Sequence, residues 1–280
     1  MKSFAAWSLA VLITLTAVYY QRMTGPTNPK RVSFDTEQGD YKAKFERSLD
    51  TSVPFENDSY VKHSSNLEVR ITPAPENANM YIDWRRYPGN DSLVRVVATS
   101  SSGLFSFSLP SQPPAGKIAY NPVLVIDGNE YGLDEEIILR YKAPVPALTL
   151  VPHILLMFVA MFFSNYVGIA ALLKIRNASF FAILTMITLF AGGLVLGPLV
   201  QKAAFGEYWT GWPFGGDLTD TKTLFAFLIW LAAWYFNRKK GRRYLYVLAS
   251  VVMMLVYTIP HSTAGSEFDY ERGIVVTGGD

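Results

Sequence analysis

The stretch LTLVPHILLMFVAMFFSNYVGIAALLKI, residues 148–175, decides the fold because it is too long and too apolar for a soluble domain. A transmembrane helix needs about 20 mostly apolar residues, and the first charged residue of this segment is Lys174. Four further apolar stretches lie at residues 5–20, 179–200, 221–237 and 244–260. The sequence therefore predicts a multi-pass α-helical membrane protein with five helices, the last four forming a membrane domain over residues 147–262.

The first apolar stretch resembles a secretory signal, since it lies between Lys2 and Arg22. No small-x-small cleavage pattern follows it, and bulky Tyr19 and Tyr20 occupy the positions where a signal peptidase requires small side chains. We therefore expect residues 1–21 to remain as an uncleaved signal-anchor helix.

Lysine and arginine at the helix ends predict the orientation, because cytoplasmic loops are enriched in these residues. One set of ends carries eight of them, namely Lys2, Lys174, Arg176, Arg238, Lys239, Lys240, Arg242 and Arg243. The opposite set carries three, namely Lys202, Lys222 and Arg272. This difference predicts a cell-membrane protein with a cytoplasmic N-terminus, and with the domain after the first helix, the loop 201–222 and the tail 263–280 outside. The basic run 238–243 is a topology signal or, alternatively, a site for a lipid headgroup or partner.

The pattern changes between residues 22 and 146, where apolar and polar residues alternate and Pro, Gly, Asn and Ser interrupt them. Alternation with a period of two is typical of half-buried strands. It predicts an all-β sandwich at 66–146, inserted between the first two helices. Residues 22–65 are either an extended linker or additional strands. The predicted strands cover residues 67–71, 80–84, 93–98, 105–109, 118–126 and 137–141.

The segment LPSQPPAGKIAYNPVLV, residues 109–125, resembles the corner and following strand of a fibronectin type III or other immunoglobulin-like sandwich. In such domains a turn with proline and glycine precedes a corner tyrosine, here Tyr120, and Trp84 resembles the core tryptophan of an early strand. Pro122 departs from the pattern. The resemblance covers residues 66–142 and implies a binding or spacer module more than an enzyme.

Composition excludes several functional classes. The chain has no cysteine, so it forms no disulfide and no thiolate metal site, and any metal must be bound by His, carboxylate, Met or backbone oxygen. A net charge of +2 argues against nucleic-acid binding. No phosphate-binding loop, nucleophile elbow or dinucleotide motif occurs, and no charge lies at the centre of a predicted helix. An enzyme or an ion-coupled transporter is therefore not expected.

Two histidines suggest a ligand site, because His153 and His261 each follow a proline at the predicted outer end of a helix. If the two helices touch, the imidazoles can share the iron of haem b, a divalent metal or a copper ion. Asp217, Glu267 and Asp269 are then candidate oxygen ligands for the metal. The alternatives are two interfacial histidines that bind nothing, or a protonatable or substrate-contacting pair.

The outer loop 201–222 combines tryptophans with many glycines, which is typical of an interfacial or re-entrant segment. Trp209 and Trp212 either settle at the membrane interface or stack on a flat ligand such as haem or quinone. Asp217 or Thr219 is expected to cap the fourth helix. Asn165 lies in the middle of the second helix, so we expect it to form a hydrogen bond to another helix.

Two functions are compatible with these patterns. The first is a non-catalytic membrane subunit of an envelope complex, which docks other membrane or envelope proteins through its outer sandwich and loop. The alternative is a membrane redox or metal-handling protein that binds haem b or a metal ion through His153 and His261. In either case the lipid bilayer is a partner and nucleic acid is not.

Overall fold

A computed structural model of the protein describes residues 1–51, 64–260 and 265–277. Within these residues, five helical rods form a bundle and a β-rich region lies at one end of it. The third rod is continuous but contains a π-helical segment between two α-helices. The helices are α1 (Lys2–Thr24), α2 (Ala147–Leu172), α3 (Ala178–Leu189), the π segment (Phe190–Leu196), α4 (Gly197–Phe205), α5 (Leu218–Lys240) and α6 (Tyr244–Thr258).

Three of the rods are long and apolar enough to cross a membrane, namely α1, α2 and the rod Ala178–Phe205. The helix α6 is apolar but has only 15 residues. The helix α5 has 23 residues, with Asp220 and Lys222 near its start. The five predicted helices are thus confirmed as helices, and the third extends five residues further than the apolar stretch 179–200, into the predicted outer loop.

Polar side chains join the helices inside the bundle. Asn165 of α2 donates a hydrogen bond of 2.9 Å to Oγ1 of Thr14 in α1, and both side chains are buried. The hydroxyl of Tyr257 in α6 donates to the carbonyl oxygen of Met157 in α2 at 2.6 Å. The interhelical hydrogen bond expected of Asn165 is confirmed, and α2 is the helix that contacts both α1 and α6.

Eleven strands of the β-rich region form two sheets within the described residues. One sheet has the order β1-β2-β4-β8-β7, and the other has the order β3-β11-β9-β5-β6 with β10 beside β9. Neighbours are antiparallel except for β3 and β11, which are parallel. The strands are β1 (Lys30–Thr36), β2 (Gly39–Phe45), β3 (Ser48–Asp50), β4 (Ser64–Thr72), β5 (Ala78–Tyr87), β6 (Val94–Val97), β7 (Thr99–Ser101), β8 (Leu104–Pro110), β9 (Lys117–Ile126), β10 (Asn129–Gly132) and β11 (Ile137–Lys142).

The two sheets share one core, as the alternating pattern requires. Leu67 and Phe107 of the first sheet and Ile82 and Ile118 of the second are fully buried in the same apolar cluster. All six predicted strands are present, as β4, β5, β6, β8, β9 and β11. Residues 22–65, for which a linker and additional strands were both open, contain β1 and β2, and these strands extend the first sheet. We refer to residues 30–142 as the β domain.

Pro122 lies in β9 at a place that tolerates a residue without an N–H. One edge of β9 pairs with β11 over residues 117–120 and with β10 over residues 123–126. Residue 122 falls in the gap between these two partners, so no neighbouring strand on that edge needs its N–H. A proline is therefore accommodated in a strand that lies in the middle of the sheet.

Tyr120 is fully buried, but its hydrogen bond differs from that of a fibronectin-type corner tyrosine. The hydroxyl donates to the carbonyl oxygen of Glu46 at 2.9 Å, across 74 residues of sequence. In the immunoglobulin-like pattern the acceptor is only a few residues upstream. Trp84 belongs to the same core, 9% exposed. The two-sheet β region is thus present, while the immunoglobulin-like assignment stays a prediction.

The predicted tail 263–280 contains a β-hairpin made of β12 (Ser266–Asp269) and β13 (Ile274–Thr277). The hairpin packs on the β domain, because the N–H of Phe268 donates to the carbonyl oxygen of Ala115 at 3.2 Å. This contact ties the C-terminal segment to the loop before β9.

A backbone contact also joins the β domain to the bundle. The N–H of Ala143, just after β11, donates to the carbonyl oxygen of Ala204 in α4 at 3.0 Å. The β domain and the hairpin therefore lie at the end of the bundle where α2 and α5 begin and α4 ends.

Candidate functional site at the domain junction

A cavity of about 130 Å³ lies where the β domain meets the helices. Its walls come from β11, from the start of α2, from the rod 178–205, from the start of α5 and from residues 265–266. The wall carries many charged and polar side chains, namely Arg140, His153, Gln201, Asp217, Thr219, Asp220, Thr223 and Ser266. Side chains that are distant in sequence thus face one partly open space, which we call the junction cavity.

Arg140 of β11 is the cation of the junction cavity and is only 6% exposed. Its Nη2 donates to the carbonyl oxygen of Ser266, and its guanidinium carbon lies 4.8 Å from the ring centroid of Phe205. Its Nε has no hydrogen-bond partner among the described residues. Burial lowers the pKa of Arg140, and the carboxylates of Asp217 and Glu267 partly offset this effect. The Nε–H of this buried guanidinium therefore has no acceptor among the described residues.

His153 lies in the first turns of α2, with Nδ1 at 2.8 Å from the carbonyl oxygen of Gly192. A carbonyl oxygen only accepts, so Nδ1 carries the hydrogen and Nε2 of the neutral imidazole is an acceptor. Gly192 belongs to the π segment, where its carbonyl oxygen also accepts from the N–H of Gly197. Short π segments are frequent at functional sites because they redirect backbone groups.

Asp217 caps α5, as the sequence predicts. Its Oδ1 accepts from the N–H of Thr219 at 2.7 Å and from the N–H of Asp220 at 3.3 Å, and the side chain is 5% exposed. A carboxylate at this position also interacts favourably with the N-terminal end of the helix dipole. Its role in holding the helix start is therefore structural, even though it lines the junction cavity.

Asp220 fixes the outer loop onto the start of α5, just before the apolar stretch 221–237. Its Oδ2 accepts from the N–H groups of Thr210 and Gly211 at 2.8 and 3.1 Å. Burial raises the pKa of Asp220 to about 6, although these hydrogen bonds act in the opposite direction. The charge of nearby Asp217 adds to the increase.

The two tryptophans for which stacking on a flat ligand is one prediction, Trp209 and Trp212, do not line the junction cavity. The indole Nε1 of Trp209 donates to the carbonyl oxygen of Trp212 at 3.2 Å, which closes a turn within the loop. Trp212 is 54% exposed, and its ring centroid lies 6.0 Å from that of Phe225 in α5. The ring of Trp212 thus lies beside α5, and a stacking role of either tryptophan toward a ligand stays a prediction.

Glu267 and Asp269, the candidate metal ligands of the hairpin, bind protein groups instead of lining the cavity. The carboxylate of Glu267 forms an ion pair with Lys117 of β9. Burial lowers the pKa of Lys117, and Glu267 raises it. Oδ1 of Asp269 accepts from the backbone N–H groups of residues 271 and 272 at 2.9 and 3.0 Å. These carboxylates stabilise the hairpin and its contact with the β domain.

The predicted partner of His153, His261, lies outside the described residues. The hydrogen bond from Tyr257 to Met157 shows that α6 and α2 touch near this end, which is the condition for a shared ligand. Across residues 1–51, 64–260 and 265–277, no group of three or more His, Asp or Glu side chains is arranged to hold a metal ion. The haem or metal site therefore stays a prediction.

Sequence reasoning does not find Arg140 or the π segment. Arg140 stands between buried Leu139 and Tyr141, so alternation places it on the face of the sheet opposite to the core. Only the packing of that face against Phe205 and the hairpin makes it buried. Two sequence features could have indicated these elements. Arg140 is a cation just before the connector to an apolar helix, and the pair Gly192-Gly193 interrupts an apolar run where the π segment lies.

No protein-family model and no curated protein matches this chain. The chain's own surfaces and the junction cavity are therefore the features that bear on its function.

Proposed function

We propose that this protein is an integral membrane docking subunit of an envelope complex. Its five helices span the cell membrane, and its β domain on the outer side binds an extended segment of a partner envelope protein. The observation that carries the proposal is an exposed apolar edge of the β domain at strand β6.

The surface of the bundle supports insertion of all five helices into a membrane. Its interior holds buried polar residues such as Asn165 and Thr185, whereas large apolar side chains cover its outside. The interior is otherwise apolar, so the outside is what distinguishes this bundle from a soluble one, and lipid is the solvent that makes an apolar outside favourable. Each helix has a large apolar side chain that is more than half exposed, namely Leu15 of α1, Leu155 of α2, Ile187 of α3, Phe236 of α5 and Leu255 of α6.

A rigid junction supports a docking role, because a partner bound to the β domain is then held in a fixed position relative to the bundle. Arg140 and Lys117 of the β domain bind Ser266 and Glu267 of the hairpin. The backbone contact between β11 and α4 adds a direct connection to the helices. Buried charged contacts of this kind are costly to separate, so we expect little movement between the β domain and the helical bundle.

The exposed apolar side chains of the β domain are confined to one edge. Among its described residues, the large apolar side chains that are exposed are Leu93 at 60%, Val94 at 49% and Val97 at 64%. Strand β6 is the edge of one sheet, and β7, which follows it directly, is the edge of the other. The segment 93–101 therefore forms one continuous edge with apolar side chains and unpaired backbone groups.

Strand addition is the binding mode that fits this edge. An unpaired edge offers backbone N–H and C=O groups to an extended peptide, and apolar side chains beside it provide affinity. Arg95 holds β6 in place, since its Nε and Nη2 bind the two carboxylate oxygens of Asp83 in β5, both at 2.8 Å. The partner is thus expected to present an extended segment with apolar side chains.

Photo-crosslinking tests the docking surface in intact cells. p-Benzoylphenylalanine is placed at Val97 on β6 or, as the matched control, at exposed Lys42 on β2 of the other sheet. We expect one discrete protein adduct from position 97 and none from position 42. In the chain that carries the crosslinker at position 97, the substitution Val94→Lys should abolish the adduct, because a charge on an edge opposes strand addition. Lys42→Glu should leave it unchanged.

Equal adducts at both positions, or an adduct that survives Val94→Lys, would overturn the choice of surface. Recovery of the chain without any adduct at position 97 would overturn the docking function itself.

Single introduced cysteines test the topology, since the chain has no native cysteine. A membrane-impermeant maleimide should label Ser33→Cys in the β domain of intact cells, because this position is exposed in β1. Asn177→Cys lies between α2 and α3 and should react only after permeabilisation. The reverse pattern would contradict the proposed orientation.

A further inference from the structure

An open recess lies at the C-terminal end of α1 and shares no lining residue with the junction cavity. Its volume is about 360 Å³. Residues 25–29, which connect α1 to β1, line one side of it, and Phe158 of α2 lines another. Val18 and Arg22 of α1 complete the part that matters here. We call this space the α1 recess, and its size is within the range of pockets that bind small ligands.

The length of α1 places the recess at the surface of the membrane. Arg22 follows Lys2 by about 20 residues, so the two residues are about 30 Å apart along a straight helix. The hydrocarbon core of a bilayer is also about 30 Å thick. With Lys2 at the cytoplasmic boundary, Arg22 lies at the outer boundary, where the phosphate groups of the outer leaflet are.

Arg22 is a cation without a counter-charge. Its side chain is exposed and forms no ion pair with any carboxylate of the described residues. None of the described residues that line the recess is acidic, and the first acidic residue of the chain is Asp35. A guanidinium binds a phosphate group through two parallel hydrogen bonds. The recess therefore favours an anion, and phosphate is the anion that the membrane supplies at this depth.

The recess is apolar toward the membrane centre and polar toward the membrane surface. Val18 lies about one helical turn further into the membrane than Arg22, and Phe158 lies beside it in the wall. Beyond the end of α1, Thr27 and Asn28 supply a hydroxyl and an amide. A phospholipid has the same order of groups, with acyl chains below the glycerol and the phosphate above it. A free phosphate ion would use only the polar part.

Hydrogen bonds hold the connector in place, so the recess is formed before a ligand binds. The N–H of Asn28 donates to the carbonyl oxygen of Gly25 at 2.9 Å. Its side-chain amide donates to the carbonyl oxygen of Met23 at 3.0 Å. Pro26 and Pro29 restrict the backbone on either side of this turn. A preformed site loses less conformational entropy when it binds a ligand.

We propose that the α1 recess binds the head group of one phospholipid of the outer leaflet. The guanidinium of Arg22 donates to the phosphate oxygens, and the upper part of an acyl chain packs against Val18 and Phe158. The proposal rests on the insertion of the bundle into the membrane, which belongs to the proposed function, and it does not depend on docking at β6.

Native mass spectrometry of the full chain, purified in a neutral detergent, tests the site. Dimyristoyl phosphatidylglycerol should give one saturable adduct. Dimyristoylglycerol has the same acyl chains but no phosphate, so it should bind about tenfold more weakly. Inorganic phosphate should not displace the lipid, because burial of the acyl chains contributes to its affinity. Displacement by an equal concentration of inorganic phosphate would identify a free anion as the ligand and would overturn the proposal.

A matched pair of cations tests the role of Arg22. Arg22→Gln removes the guanidinium from the recess, so the affinity for phosphatidylglycerol should fall about tenfold. Lys202→Gln removes an exposed charge at the same end of the bundle but outside the recess, and it should leave the affinity unchanged. Thr27→Glu places a carboxylate in the recess and should weaken binding at least as much as Arg22→Gln.

Equal affinity of the wild type and Arg22→Gln would refute the site. An equal loss in Arg22→Gln and Lys202→Gln would also refute it, since net charge alone then determines binding. Crosslinking from position 97 should be unchanged in Arg22→Gln. An adduct at position 97 without phospholipid binding would therefore refute the recess alone, whereas phospholipid binding without that adduct would refute the docking function alone.

Discussion

Replacing Gly168 with alanine should destabilise the bundle by overfilling the contact between α2 and α6. An ideal Cβ on Gly168 would lie 2.5 Å from Oγ and 2.6 Å from Cβ of Ser250, whereas ordinary contacts are 3.4–4 Å. A new rotamer of Ser250 would move only Oγ and leave the Cβ contact, so the helices must separate locally by about 1 Å. Overpacking of this size costs about 1–3 kcal/mol. The intrinsic preference of alanine over glycine in helices, about 1 kcal/mol, acts in the opposite direction.

Unfolding of the purified chain in mixed micelles by sodium dodecyl sulfate, followed by tryptophan fluorescence, measures this effect. Gly168→Ala should lower the free energy of unfolding, and Gly197→Ala is the matched control, because its Cβ meets atoms only at 3.7 and 3.8 Å. Ser250→Gly removes both clashing atoms. The effect of Gly168→Ala should therefore nearly vanish in that background.

A Gly168→Ala variant that is as stable as the wild type would contradict the predicted overpacking. An equal loss of unfolding free energy with and without the Ser250 side chain would also contradict it, since the clash with that side chain is then not the cause.

Three other substitutions test separate contacts. Asn165→Leu should destabilise the bundle in the same assay by about 1 kcal/mol. A double-mutant cycle with Thr14→Val should assign most of this loss to the hydrogen bond between Asn165 and Thr14. A coupling energy of zero would contradict that assignment. Tyr120→Phe should lower the melting temperature of the β domain, at a cost of about 1–2 kcal/mol, because the carbonyl oxygen of Glu46 loses its donor; unchanged melting would argue against that bond. Asp220 has its pKa raised from 3.8 to about 6, so its contribution to stability is fully present below about pH 4 and is lost as pH rises through 6. Wild-type melting temperature should therefore fall between pH 5 and 7.5 by more than that of Asp220→Asn, an effect of at most about 1.5 kcal/mol over this range, and identical pH profiles would refute the shift.

The sequence predicts much of the fold because the relevant patterns are local. Alternation along β4, β5 and β8 reflects one buried face, and continuous apolar runs predict the helices regardless of their neighbours. The cap at Asp217 follows from the same local chemistry. Its carboxylate needs only the next two N–H groups, which any helix start provides.

The junction cavity is less predictable because its parts are far apart in sequence. Arg140 is exposed by strand periodicity and is buried only because α4 and the hairpin cover that face of β11. The sequence predicts only a tail where the hairpin 266–277 lies, since two strands of four residues are too short to give a periodic signal. The Trp-rich loop is notable in sequence, but neither Trp209 nor Trp212 lines the cavity, and Trp212 lies beside Phe225 of α5.

The sequence alone determined that this chain has five apolar or amphipathic helices and a β-rich region after the first of them, because hydropathy and periodicity are properties of contiguous residues. Tertiary structure alone decided which polar groups meet. It paired Asn165 with Thr14 across two helices, turned Nδ1 of His153 toward the carbonyl oxygen of the π segment, and enclosed Arg140 between domains. Those contacts depend on how separate segments pack, and no local pattern encodes the distance between them.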